Sequence, residues 1–318
     1  MSLTAVSLRP SAGPRLPLAV AVRTVGFVPV ARPTGQAWST ARAVFAESRP
    51  CVQFVVALRL IGATDVLVQP SVQGVAILVG WLSLSISVYL LNGLSDVRAD
   101  RSNGSARPIA SGRLAFATAT RWCAGLAVGG LFAVSYAGPL VTRAGFAYLA
   151  LGWAYSAGPC LKNYRYGSVL AIGGGAGLTY TAGLVVANEA KWREVALVLL
   201  LSAWIGIASM SKDFSDIDGD AVAGRRTAPV LFGARRAATM LAAQTVPTSV
   251  AVTFLAITMH SIAASAPGLL LVTGSIVLTV TARRFGSDPR RSARRMPYRA
   301  FLSTQYLADL ALLAVLAR

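Results

Sequence analysis

Acidic residues are scarce in this chain: twelve Asp and Glu stand against thirty Lys and Arg, a formal charge of +18 over 318 residues. Charged residues of both signs make up 13%, about half the share usual for a water-facing domain. The single histidine, His260, leaves a Ser-His-Asp triad or a His-based zinc site almost nothing to draw on. Three cysteines, Cys51, Cys123 and Cys160, are widely spaced with no C-x-x-C pair, which excludes a disulfide framework and a Cys/His metal cluster. They read as apolar filler in helices.

Apolar residues fill the gap, at 55% of the chain with a mean hydropathy of +0.60. Nine apolar runs lie near 51–70, 74–95, 116–137, 139–160, 168–188, 193–211, 236–258, 265–284 and 298–317. A spanning helix needs roughly 20 such residues, and in lipid only helices or closed barrels satisfy their own backbone. The runs lack period-2 alternation, so the expectation is an all-α polytopic membrane protein. Residues 1–46, with five arginines and no acid, read as a basic, disordered segment; residues 47–318 read as the membrane domain.

The basic residues sit between the apolar runs and form no single stripe, so nucleic acid is not the expected partner. Arg98, Arg101, Arg107 and Arg113 follow run 2, Lys162 and Arg165 run 4, Arg225, Arg226, Arg235 and Arg236 run 6, and Arg283 to Arg295 run 8. The odd-numbered exits are neutral or mixed. Positive-inside bias then places the amino terminus and the even exits in the cytoplasm.

Half of the twelve acids fall in two short segments, each after an even-numbered run and so on one membrane face. The first reads Asn92-Gly-Leu-Ser-Asp96-Val-Arg-Ala-Asp100. A spacing of four stacks these side chains on one helix face, a ladder of oxygen ligands. The second reads Lys212-Asp213-Phe-Ser-Asp216-Ile-Asp218-Gly-Asp220 and repeats that spacing. It is not an EF-hand, since Ala221 and Thr227 stand where that loop needs Gly and Glu. Like charges at this spacing repel unless a cation compensates, and Mg²⁺ bridges carboxylates to phosphate oxygens. Arg107 follows the first segment and Arg225 the second, and arginine grips phosphate in bidentate fashion. Two solvated, helix-breaking loops would be the plainer explanation of a single acidic run. Two runs of equal spacing on one face of an acid-poor chain favour a diphosphate site.

These residues resemble the UbiA superfamily of intramembrane prenyltransferases: Asn92-xxx-Asp96-xxx-Asp100, Arg107-Pro108-xxx-Gly112, Tyr155-Ser156 with Lys162, Lys212-Asp213-xx-Asp216-xxx-Asp220 and Gly224-Arg225-Arg226-Thr227, with Glu47-Ser48-Arg49-Pro50 ahead of the first helix. The resemblance covers about residues 47–318. It implies a nine-transmembrane-helix bundle with two cap segments, near 96–115 and 213–234, over a central cavity open to lipid. It implies that Asn92, Asp96, Asp100, Asp216 and Asp220 hold Mg²⁺ and diphosphate. Arg107, Lys162 and Lys212 would touch diphosphate oxygens, with Asp213 and Arg225 in the same substrate-binding set and Tyr155 and Ser156 lining the site. The implied activity is Mg²⁺-dependent transfer of a prenyl group from an isoprenoid diphosphate to an acceptor, an aromatic one above all; the Ala- and Arg-rich composition, which points to a GC-rich genome, suggests a bacterial cell membrane as the setting. A membrane terpene cyclase, which closes the same cation on itself, is the alternative. An ion-binding transporter is a third reading, disfavoured because the acids cluster at one face. Trp81, Tyr89, Trp153, Tyr155 and Trp204 are candidates to stabilise the cation. Arg59 and Asp65, in or near the first run, belong to none of these motifs.

Overall fold

The computed structural model describes residues 36–64, 70–102, 104–189, 191–259 and 265–316. His260, Asp65 and most of the basic amino-terminal segment lie outside the described residues. Among the described residues the ordered elements are all helical: α1 (Gln36–Glu47), α2 (Pro50–Thr64), α3 (Val72–Ser95), α4 (Val97–Ser102), α5 (Phe116–Ser135), α6 (Pro139–Ser156), α7 (Gly167–Val186), α8 (Trp192–Ala208), α9 (Ile217–Val222), α10 (Ala228–Met259), α11 (Ser265–Phe285), α12 (Arg291–Arg294) and α13 (Met296–Leu316). Two 3₁₀ segments, Leu161–Asn163 and Ser209–Ser215, follow α6 and α8.

Each of the nine apolar runs coincides with one of the longer helices. Six of these helices are long and apolar enough to cross a bilayer, which makes this an integral, multi-pass membrane protein. The 24 residues of α3 span about 36 Å at 1.5 Å each, more than the roughly 30 Å hydrocarbon core. Its amino end is capped by Ser71, whose Oγ accepts from the Gly74 N–H at 2.9 Å. The 15-residue α2 is shorter than a full crossing. One sequence boundary moves: Gln36–Glu47, assigned largely to the disordered arm, forms α1. Its Val44 packs with Leu90, Ile109 and Leu114, so this helix is anchored by tertiary contact rather than by composition.

Small residues let the helices approach closely, as expected where lipid supplies no hydrophobic drive between helices. A Cβ at Gly80 of α3 would lie 2.9 Å from the Gly130 carbonyl oxygen of α5. In α10, Gly233 (φ 76°, ψ 156°) breaks the helical path, so its first turn belongs to the cap and the apolar remainder to the bundle. The second cap therefore ends on a residue whose left-handed backbone favours glycine.

Candidate active site

The chain returns both acidic segments to one cavity of about 580 Å³. Asp96 ends α3, and the backbone ladder continues through it: its N–H donates to the Asn92 carbonyl at 3.0 Å, and the Asp100 N–H donates to the Asp96 carbonyl at 2.8 Å. The predicted ladder survives the change from α3 to α4 because these i to i−4 bonds are kept. The second segment begins as 3₁₀ helix and widens into α9, with the Asp220 N–H donating to the Asp216 carbonyl at 2.7 Å. Asn92, Asp96, Asp100, Asp213, Asp216 and Asp220 all line the cavity, as do Tyr155, Lys162, Arg107, Lys212 and Arg225.

Arg225 joins the two segments. Its Nη2 lies 3.0 Å from Asp96 Oδ1 and its Nη1 lies 3.1 Å from Asp220 Oδ1. Asp96 and Asp220 are thus one guanidinium apart, on the same side of the bundle. Lys162 reaches the same Asp96 oxygen at 2.9 Å and also donates to Ser95 Oγ at 2.9 Å. Arg107 pairs with Asp100 at 2.9 Å and, on its other side, with Glu47 at 2.6 Å. Glu47 is fully buried, accepts from the Ile109 N–H at 2.9 Å, and presses on Gly93, where any Cβ would collide with its carboxylate. The first cap is therefore fastened to the end of α1. Lys212 donates to the Tyr155 hydroxyl at 2.6 Å and sits 5.1 Å from the centre of that ring. The Arg226 N–H donates to the Asn163 carbonyl at 2.9 Å, tying the second cap to the segment that carries Lys162.

Burial pushes the Asp220 carboxyl above its usual range, and the Arg225 guanidinium opposes the shift without cancelling it. Burial also acts against charge on Arg225, yet Asp96 and Asp220 outweigh it and raise its pKa. The Arg294 hydrogen bond holds exposed Asp218 below the carboxylate range.

Three expectations change. Ser156 does not line the cavity: it is 2% exposed and its Oγ hydrogen-bonds Asn92 Oδ1 at 3.4 Å, so it stands behind that residue. Trp81 and Trp204 are fully buried, their indole N–H groups donating to Thr179 and Ser275 at 2.9 Å each, and Trp153 is 55% exposed on the outside of the bundle. Of the aromatic candidates, Tyr89 and Tyr155 line the cavity, joined by Tyr148, Tyr298 and Phe301. Arg291 and Arg295, read in the sequence only as topological charge, also line it, as does Arg299, which the sequence reading did not single out. Arg291 lies 2.6 Å from Asp216 Oδ1, and Arg294 lies 2.5 Å from Asp218 Oδ2. A spacing of four from Arg291 through Arg295 to Arg299 was the available signal.

Among the described residues no three His, Cys, Asp or Glu side chains already converge on a metal position. Each motif carboxylate that faces the opposite segment is held by a lysine or arginine instead. The donor chemistry nonetheless fits a hard divalent cation, for the lining supplies five carboxylates and the Asn92 amide oxygen, with no sulfur or imidazole.

The UbiA prenyltransferase family profile matches residues 54–304. The chain belongs to this family. A digeranylgeranylglyceryl phosphate synthase of Methanoculleus marisnigri is 31% identical over 182 residues, 55% of this chain. A diterpene cyclase of Hericium erinaceus is 28% identical over 170 residues, 49% of this chain. The chain spans 61% and 51% of the lengths of these two relatives. The solved UbiA homologue of Archaeoglobus fulgidus bound to GPP and Mg²⁺ superimposes with a TM-score of 0.68 at 19% identity, over 87% of this chain and all of that one. The apo UbiA homologue of Aeropyrum pernix superimposes with a TM-score of 0.66 at 16% identity, over 86% of this chain and 98% of that one. The similarity to these two structures is one of fold.

Proposed function

We propose that this protein binds an isoprenoid diphosphate with Mg²⁺ at the mouth of the cavity, ionises it, and passes the prenyl group to an acceptor with an electron-rich, aromatic ring. The observation that carries this reading is the Arg225 bridge between Asp96 and Asp220, which puts both acidic segments within reach of one ligand. Bound Mg²⁺ would neutralise the diphosphate as its carbon–oxygen bond breaks. Asn92, Asp96, Asp100, Asp216 and Asp220 would hold the metal; Asp213 shares their wall.

The cations now paired with those carboxylates are already aimed at the same space. Arg107, Lys162, Arg225 and Arg291 turn to the diphosphate oxygens, where bidentate guanidinium contacts fix the leaving group in orientation. Lys212, steadied by Tyr155, adds a further positive charge. Tyr89 and Tyr155 present apolar rings to the developing allylic cation, whose attraction to aromatic faces favours ionisation. The apolar walls below the mouth exclude water, so the cation meets the acceptor before water can quench it, and the ring carbon that gains the prenyl group then loses its proton. Positive-inside bias puts this mouth on the cytoplasmic face.

Internal cyclisation is the second reading, favoured by the similarity to a diterpene cyclase. Purified protein given Mg²⁺ and dimethylallyl, geranyl, farnesyl or geranylgeranyl diphosphate, with and without aromatic acceptors, separates the two. A prenylated ring supports transfer. A cyclic hydrocarbon formed without acceptor replaces it with cyclisation. Full diphosphate release by an Asp96→Ala, Asp216→Ala double variant would overturn both.

A further inference from the structure

The cavity has an inner end whose chemistry differs from its walls. From Arg49, just before α2, the lining residues run along α2 through Val52, Val55 and Val56 to Arg59. Along α13 the apolar pair Phe301 and Leu302 gives way to Gln305, and on α7 Ala176 gives way to Thr179. Arg59 lies ten residues beyond Arg49, and Gln305 ten beyond Arg295. At 1.5 Å per helical residue both sit about 15 Å inside the mouth. Two neighbouring helices thus place a polar side chain at one depth.

These side chains are buried and tied together. Arg59 is 6% exposed and Gln305 5%. Arg59 Nη2 donates to Gln305 Oε1, and its guanidinium lies 5.8 Å from the Tyr180 ring centre. The Tyr180 hydroxyl donates to Asp309 Oδ1 at 3.0 Å, so a carboxylate offsets the positive charge from behind. An ionised side chain at this depth is costly unless it serves a purpose and is paired. The motifs at the mouth do not use it.

We infer that Arg59 and Gln305 form the floor of the prenyl-chain pocket and set the longest chain it accepts. This rests on the reading of the mouth as a diphosphate site. A hydrocarbon tail gains by lying along valine, alanine and phenylalanine. At the floor it meets hydrogen-bonded polar groups that it cannot satisfy and that do not give way without losing their partners. Extended chain covers about 3.5 Å per three bonds, so a four-bond isoprene unit spans about 5 Å and a 15 Å pocket holds about three units. Farnesyl is then the longest chain that fits, and geranylgeranyl strikes the floor.

The test is Mg²⁺-dependent diphosphate release from geranyl, farnesyl and geranylgeranyl diphosphates by the full-length protein in detergent. For the wild type, kcat/KM is expected to drop about tenfold or more from farnesyl to geranylgeranyl, the scale on which pockets reject excess apolar length. Gln305→Ala, and the double variant with Arg59→Ala, should bring geranylgeranyl to within about threefold of farnesyl while geranyl is unchanged. Should Arg59→Ala fail to accumulate, Arg59→Met with Gln305→Ala keeps the length of the side chain and removes its charge. A flat wild-type profile, as from a tail escaping sideways into lipid, overturns the inference, and so does a drop that persists in every variant. Either result leaves the diphosphate reading standing. Absence of release at every chain length would instead overturn that reading and this inference with it.

Discussion

Replacing Arg225 with glutamine separates the two roles that its position gives it. The guanidinium lies 3.0 Å from Asp96 and 3.1 Å from Asp220, with side chains 21%, 16% and 6% exposed. At an effective dielectric near 20, each contact is worth at most about 5.5 kcal/mol of raw Coulomb energy, and desolvation takes back most of it. Removing one partner of such a buried set typically costs about 2–4 kcal/mol, because the remaining charges lose their compensation. Metal-free Arg225→Gln should therefore unfold several degrees below the wild type, at about 2–4 °C per kcal/mol for a chain of this size. In the wild type a divalent cation competes with the guanidinium for Asp96 and Asp220; in the variant it does not. Mg²⁺ should thus raise the unfolding temperature of Arg225→Gln more than that of the wild type. Catalysis should move the other way: one preorganised donor to developing charge is worth about 10²–10³ in rate. The assays are thermal unfolding in detergent across a Mg²⁺ series, and diphosphate release at saturating Mg²⁺. Equal Mg²⁺ stabilisation of the two proteins would refute the reasoning, since the carboxylates held by Arg225 would then not be those that receive the metal.

Asp96→Asn and Asp216→Asn should each lower Mg²⁺-dependent diphosphate release by about 10³-fold or more while leaving the far-ultraviolet helical signal intact, because a hard cation loses an anionic ligand in each. Gly93→Ala should destabilise the protein by about 1–3 kcal/mol in thermal unfolding, the usual cost of forcing extra volume into a packed site, since the new Cβ meets the Glu47 carboxylate. Wild-type stability in that variant would mean that α1 does not press on α3. Arg291→Gln should raise the KM for prenyl diphosphate by about tenfold, the loss of one charge-assisted contact, while Arg294→Gln, whose partner Asp218 is exposed, should change it little. Equal effects of the two would make α12 a structural clamp and not part of the mouth.

Much of this was legible in the sequence because membrane chains economise on charge. With six of twelve acids in two segments of matching spacing, Asp96, Asp100, Asp216 and Asp220 stand out in the sequence itself. The nine apolar runs fixed where the long helices fall, since a bilayer leaves few other uses for 20 apolar residues. What sequence could not separate was one arginine from another. Arg291 and Arg294 sit three apart in a basic loop, yet one lines the cavity and the other pairs at the surface. The four-residue spacing of Arg291, Arg295 and Arg299 groups the cavity-lining arginines, but it does not fix where α12, a single turn, packs on the segment that opens the second cap. The tryptophans misled for a related reason. In lipid an aromatic ring can face inward, outward or a neighbour at similar cost, so Trp81 and Trp204 became packing residues with bonded indoles while Tyr89 and Tyr155 faced the cavity. Ser156 was placed one residue too far: it follows Tyr155 on the helix and turns away from the ligand space to meet Asn92.

The pairing of the carboxylates bears on how such a site can persist without its metal. Five Asp residues around one mouth would repel each other strongly in a partly dry setting, and their cost would fall on folding. Here Lys162, Arg225, Arg107 and Arg291 take up that charge, each from a different element: the 3₁₀ turn after α6, the second cap, the first cap and α12. These cations therefore do two things with one placement. They let the acidic mouth fold before any ligand arrives, and they stand within a side-chain rotation of the position a diphosphate would occupy. A site built from carboxylates alone would need the metal to fold; one built from arginines alone would bind diphosphate without activating it. Interleaving the two, with Arg225 shared between Asp96 and Asp220, ties the two acidic segments together through the same charges that line the cavity.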